Sequence, residues 1–256
     1  MSNKREREKR REERIAEEAQ AASGDRRARL LQIGAGGVFL AIIVVVVVIV
    51  VASGGSSSGG DASNLVETKQ VDSLLAGIPQ QKLALGKSSA PVELIEYGDL
   101  QCPICKEYSE EFLPPLIENQ VRSGELKIIF RNFTIISEES IPAGQAAIAA
   151  GTQGRGWNYI ELWYRNQGEE RSGYVTEEFM ESIAKGAGVK DMAKFNQERK
   201  SKATEEEVTR TREQAETFGF DGTPSFAIKG PHSNGIELIG TPQSIGEFEE
   251  RIEKAS

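Results

Sequence analysis

Apolar positions fall into three patterns along the chain, and each predicts a different kind of element. Leu30 to Ala52 is a stretch of 23 residues without a charge, and from Val38 to Val51 it is built of Val, Ile, Leu, Ala and Phe alone. A helix of about 20 apolar residues crosses a hydrocarbon core of about 30 Å, and unpaired backbone groups forbid an open strand there, so the run predicts one transmembrane helix. Val92-Glu93-Leu94-Ile95-Glu96-Tyr97, bounded by Pro91 and by Gly98-Asp99, predicts a short strand. From Pro103 to about Val121 the apolar residues Tyr108, Phe112, Leu116 and Ile117 recur at helical spacing, with Pro114-Pro115 expected to kink the helix. Leu126 to Phe133 predicts a second strand after the turn at Ser123-Gly124. Two strands joined through one helix imply parallel pairing and a right-handed crossover.

The next stretch, 140–218, is helical throughout: Ala143 to Ala150, Trp157 to Arg165, Thr176 to Gly186 and Ser201 to Phe218. About 80 residues exceed what one crossover needs, so they predict a helical subdomain inserted into the sheet fold and returning through its last helix. Ser225 to Ile228 and Ile236 to Ile239 then predict a hairpin, and Ser244 to Lys254 a final helix with Ile245, Phe248 and Ile252 on one side. The expected class is α/β, a mixed sheet flanked by helices with an inserted helical subdomain, preceded by one transmembrane helix.

Charge sets the orientation. Residues 1–29 hold ten Lys/Arg and seven Asp/Glu with almost nothing apolar, which predicts a solvated, charged tail. The basic side of a span stays in the cytoplasm, so 30–52 is expected to be a single-pass anchor in the cell membrane with the C-terminal part extracytoplasmic. Val50-x-Ala52 also suits cleavage of a secretory signal, but a signal's apolar region runs only about 7–15 residues, which favours an uncleaved anchor. Residues 53–78 open with a Ser/Gly-rich run and are expected to be a flexible linker. The folded part is then expected to divide into 79–139, the inserted helices 140–218, and 219–256. Beyond residue 52 there are 21 basic and 32 acidic residues, a net charge of 21 − 32 = −11, which argues against nucleic acid or anionic lipid as the domain's partner.

The chain has two cysteines, and they stand together as Cys102-Pro103-Ile104-Cys105 where the first strand gives way to the helix. Free N–H groups and the dipole at a helix start favour a thiolate at Cys102, and Pro103 suits the first helical position because its missing N–H is not needed there. Cys102 is therefore expected to be an exposed exchange sulfur and Cys105 its buried resolving partner. Three other readings compete. A structural disulfide closing so short a loop gains little entropy. A zinc site lacks ligands, because His232 is the only histidine. Two inert buried thiols sit poorly with an oxidising compartment. No cofactor or metal is expected.

The run P-V-E-L-I-E-Y-G-D-L-Q-C-P-I-C-K-E-Y, the later F-G-F-D-G-T-P-S-F-A-I and the helices between them resemble the DsbA-like branch of the thioredoxin superfamily, in its membrane-anchored bacterial forms, over roughly residues 80 to 256. The resemblance implies a thioredoxin fold and thiol–disulfide oxidoreductase activity on reduced exported proteins, with a quinone-linked membrane oxidase as reoxidant. It also implies a cis-proline at Pro224, beside which the Thr223 backbone would pair with an extended peptide. Glu96, six residues before Cys102, stands where such proteins place a buried carboxylate that can exchange a proton with the resolving sulfur. One departure is expected to matter. The strongest oxidants of the branch carry His where this chain has Ile104, so the potential is expected to be less oxidising, leaving reductase or isomerase roles open beside a non-catalytic peptide-binding module. Trp157, Tyr159, Trp163 and Tyr164 are expected to be core, His232 exposed, and Asn132-Phe133-Thr134 a weak glycosylation match.

Overall fold

The computed structural model describes residues 64–256, so the expected tail, transmembrane helix and first part of the linker lie outside the described residues. Among the described residues no helix is long and apolar enough to cross a membrane. The chain begins with α1 (Thr68–Leu75) and two short strands, β1 (Gln80–Gln81) and β2 (Ala84–Leu85). Next come β3 (Val92–Gly98), α2 (Pro103–Glu111), α3 (Leu113–Leu116), a π-helical turn at Ile117–Val121, and β4 (Leu126–Asn132). Pro114 and Pro115 lack the N–H that would bond back into α2, which is why one predicted helix arrives as three pieces.

Five helices follow without a strand: α4 (Ser140–Gly151), α5 (Gly156–Arg165), α6 (Glu177–Gly186), α7 (Met192–Glu198) and α8 (Lys202–Thr217). The chain closes with β5 (Ser225–Lys229), β6 (Glu237–Gly240) and α9 (Ile245–Ala255), the last capped by the Ser244 side chain. The six strands lie in the order β1-β2-β4-β3-β5-β6, with β3 and β4 parallel and the other pairs antiparallel.

The period-two alternation of β3 divides its side chains between two layers. Val92 and Leu94 join the larger core, which includes Phe226, Ile228 and Phe248 and runs on into the inserted helices through Trp157, Trp163 and Phe195. Ile95 and Tyr97 face the other way, packed with Phe133, Ala215 and Phe218 beneath α8. Glu96 falls in step with Val92 and Leu94, so the pleat alone delivers a carboxylate into the layer that holds Cys105.

Four elements, α1, β1, β2 and α7, differ from the sequence-based expectation. The linker expected over 53–78 is helical from Thr68 to Leu75, where Val71 and Leu75 are buried. β1 and β2, of two residues each, are too short for any periodicity to register, and α7, at seven residues, was absorbed into a connection.

Candidate active site

The Cys-x-x-Cys pair straddles the mouth of α2. Cys102 is its N-cap, with extended backbone angles (φ −75°, ψ 120°), Pro103 occupies the first turn, and Cys105 faces the core. Both cysteines are free thiols. Cys102 Sγ accepts a hydrogen bond from the Cys105 N–H at 3.3 Å and, as a thiol, donates to the Thr223 carbonyl at 3.2 Å. The peptide bond between Thr223 and Pro224 is cis.

The two sulfurs are held at opposite ends of the thiol range. Cys102 is lowered to about 7, first by the hydrogen bond from the Cys105 thiol, against burial, and then with help from Thr223 and the N–H groups of Cys105 and Ile104. The Thr223 hydroxyl, buried and without another partner among the described residues, is free to serve the thiolate. Burial pushes the Cys105 thiol well above its ordinary value, and the neighbouring Cys102 and Glu96 charges push it the same way. Cys102 therefore ionises first, while Cys105 keeps its proton.

Exposure corrects one expectation. Cys102 is only 3% accessible, scarcely more than Cys105 at 0%, because the Thr223–Pro224 segment sits over its sulfur, whereas Ile104 is 46% exposed. The surface at the helix mouth is thus an apolar side chain with the reactive atom just behind it.

Glu96 is 1% exposed, and neither carboxylate oxygen has a hydrogen-bond partner among the described residues. Burial raises it to about 8, and the charges of Glu161 and Cys102 add to the effect. A Cβ at Gly98 would stand 2.6 Å from the Phe130 ring and 3.2 Å from Glu96 Oε1, so only glycine leaves this carboxylate its room. Glu161, on α5 and also fully buried, is held by Arg165 at 2.8 Å and by the Ser109 hydroxyl at 3.1 Å. Burial raises Glu161 as well, with Arg165 opposing.

The inserted helices do more than cover the sheet. The Leu100 carbonyl accepts from Trp163 Nε1 (2.7 Å), Gln167 Nε2 (2.8 Å) and the Tyr174 hydroxyl (3.3 Å). The Tyr164 hydroxyl donates to the Asp99 carbonyl at 3.2 Å, and Gln167 Nε2 also reaches the Cys102 carbonyl at 3.1 Å. From the other side, the Asp99 carboxylate accepts the N–H groups of Gln101, Ile135 and Ile136 at 2.8–2.9 Å. Trp157, Tyr159, Trp163 and Tyr164 are all fully buried, so the core reading of that cluster stands, and two of the four serve the redox loop as well. His232 is exposed in its hairpin. The sequon match is buried at both ends, Asn132 donating to the Gly144 carbonyl.

Sequence reasoning did not single out Asp99, Glu161, Gln167 or Tyr174. Asp99 carried a signal, since an aspartate just after a strand commonly binds nearby backbone N–H groups. The others act across the fold on backbone carbonyls or on other buried side chains, and no local pattern announces that.

A family profile described as Thioredoxin matches residues 79–254. A probable disulfide bond formation protein D of Bacillus cereus is 30% identical over 154 residues, 59% of this chain and 71% of that protein. Among solved structures, oxidised BdbD of Bacillus subtilis superposes with a TM-score of 0.60 at 20% identity, covering 70% of this chain and 97% of that one. The α-DsbA1 of Wolbachia pipientis gives 0.57 at 22% identity, covering 72% of this chain and 95% of that one. With a Cys-x-x-Cys at a helix mouth facing a cis-proline, and relatives of this kind, the chain belongs to the thioredoxin family, as a DsbA-like thiol–disulfide oxidoreductase.

Proposed function

We propose that the protein forms disulfides in reduced exported proteins from a membrane-anchored position outside the cytoplasm, and that a quinone-linked membrane oxidase restores its own disulfide. What carries this reading is the geometry of the pair, Cys102 Sγ at the helix mouth against the Thr223–Pro224 segment with Cys105 buried behind it, in a chain whose relatives are described as disulfide bond formation proteins.

In the proposed cycle a client thiolate attacks Cys102 Sγ of the Cys102–Cys105 disulfide, and Cys105 leaves as a thiolate. Glu96, mostly protonated at neutral pH, gives that thiolate its proton. A second client thiolate then attacks the client sulfur of the mixed disulfide, and Cys102 leaves as a thiolate under the Cys105 N–H. Two electrons pass from client to enzyme, and the client gains one disulfide. Thr223 and Pro224 bind the extended client segment through main-chain bonds, which suits broad client choice. Pro103 pre-forms the first turn, and Ile104 supplies an apolar contact rather than a charge.

A second reading, reductase or isomerase, has its own support. Cys102 at about 7 lies with thioredoxin's attacking cysteine, about 7, and far from DsbA's, about 3.5, as expected with Ile104 in the place of histidine. Equilibration in glutathione buffers separates the two. A potential near about −120 mV fits the oxidase and one near about −270 mV a reductase. A Cys105→Ser variant should trap clients on Cys102 as mixed disulfides, and failure to trap any would rule out both.

A further inference from the structure

The redox loop is gripped by carbonyl-directed donors, and these are not equivalent. Leu100 O receives three of them, more than its two lone pairs require, so losing any one leaves it satisfied. Among the described residues Cys102 O receives only the Lys106 N–H of its own helix at 3.2 Å and the Gln167 amide at 3.1 Å. One bond runs along the helix and the other crosses from the inserted helices.

We propose that Gln167 is a positioning residue for the reactive sulfur: its side-chain amide, bridging Leu100 O and Cys102 O, fixes the peptide plane of Cys102 and thereby the direction of Sγ. The proposal rests on the oxidoreductase reading and deepens it. Cys102 is the N-cap, outside the regular helix, so its ψ angle is not set by the helical ladder alone. Rotation about that bond moves the carbonyl relative to the side chain, and Sγ keeps its 3.3 Å and 3.2 Å partners only over a narrow range. A second, lateral bond on the carbonyl closes that freedom.

Gln167 can do this because it follows the end of α5 directly, where Asn166 caps the helix and its own N–H bonds to Tyr164 O at 3.2 Å. The same helix end is tied down from outside: Asn166 bonds the N–H and carbonyl of Val66 at 2.9 and 3.2 Å, and Arg165 pairs with Glu67 at 3.2 Å. The amide is neutral and does not act by charge. The ionisable groups around Cys102 are Cys105 on α2, Glu96 on β3 and Tyr164 on α5, and a change at position 167 leaves all three in place.

The test is Gln167→Met, which keeps the length of the side chain and removes the donor, with Gln167→Leu as a second neutral, donorless variant. Each is assayed in the full chain for the titration of Cys102 by thiolate absorbance and for its alkylation rate at neutral pH. The expected result is a rise of about half a unit in the Cys102 midpoint and an alkylation rate about twofold slower at neutral pH, since thiolate fraction sets reactivity. Val208→Ala is the control. It opens a cavity under α8, which packs on α4 and β4 rather than on the end of α5, so it should lower the melting temperature and leave the Cys102 titration unmoved. If Gln167→Met lowers the melting temperature while the titration and alkylation rate stay at the unsubstituted values, or if Val208→Ala shifts them equally, Gln167 is only structural. Trapping by Cys105→Ser is independent of this outcome, so failure here is distinguishable from failure of the oxidoreductase reading.

Discussion

A buried glutamate without a hydrogen-bond partner among the described residues, in a layer of Leu and Phe, is costly, and Glu96 shows where the cost falls. Its carboxyl is raised from an ordinary 4.5 to about 8, mainly by burial. Between those two values the folded protein holds a proton that the unfolded chain has released, so stability falls as pH rises through that window and levels off above about 8. Glu96→Gln removes the titration and keeps the shape. It should stabilise the protein on the order of 3 kcal/mol at pH 7, with the gain shrinking toward zero as pH approaches 4.5. Denaturant melts of both proteins at acid and neutral pH measure this. Cys102, lowered to about 7, shifts stability in the opposite direction above neutrality, but it is present in both proteins and largely cancels in the difference. A gain independent of pH would mean that Glu96 does not titrate there. The same variant should slow release of Cys105, whose leaving thiolate loses its acid. Retention of an unbonded carboxyl at this point in the sheet is best accounted for by chemistry rather than by folding.

Among the elements, legibility followed period and punctuation. β3, α2 and β4 could be read because Pro91, Gly98, Pro114-Pro115 and Gly124 mark boundaries around clear twofold and helical spacing. Cys102 and Cys105 could be read because residue type and spacing alone define their chemistry. Glu96 could be placed because strand parity puts it on the face of Leu94. What stayed hidden is non-local: Gln167 and Cys102 are 65 positions apart, and their bond joins a side chain to a backbone carbonyl, which carries no sequence mark. α1 was hidden for another reason, because the Ser/Gly run before it dominates the composition and its apolar face is small. That face is nonetheless core: Val71 is 2% and Leu75 4% exposed. Leu75→Ala should therefore cost about 2–5 kcal/mol in a chemical melt, as truncation of a buried leucine does, where a leucine in a true linker would cost nothing measurable. A change below about 0.5 kcal/mol would restore the linker reading.

At the scale of the whole molecule, two parts of the sequence call for different solvents. Residues 64–256 build a two-faced sheet with an acidic exterior and a redox centre, while 30–52 carries no charge and only Gln32 as a polar side chain with which to face water. In thiol exchange the two requirements meet, because a disulfide donor is useful only where reduced chains emerge and glutathione and thioredoxin do not keep them reduced. Under the proposed reading, an anchor at that site would hold the enzyme close to clients and to a membrane reoxidant at an effective concentration set by the linker rather than by diffusion. Two outcomes follow for the anchored reading. The full chain should sediment with membranes and resist extraction by high salt, because an apolar span, unlike a surface charge contact, is not screened. Protease added to intact cells stripped of their outer layers should remove the catalytic domain and spare a short tagged N-terminal fragment, the orientation that basic residues on the inner side demand. A chain lacking residues 1–63 should be soluble and keep the potential of the Cys102–Cys105 pair, because, among the described residues, the hydrogen-bond partners of that pair lie between Asp99 and Thr223. Should the full chain wash from the membrane in salt, or should protease spare its catalytic domain in intact cells, the extracytoplasmic anchor fails. The thiol chemistry would then need a client inside the cell, and the reductase direction would become the natural one, since the cytoplasmic thiol pool works against net disulfide formation.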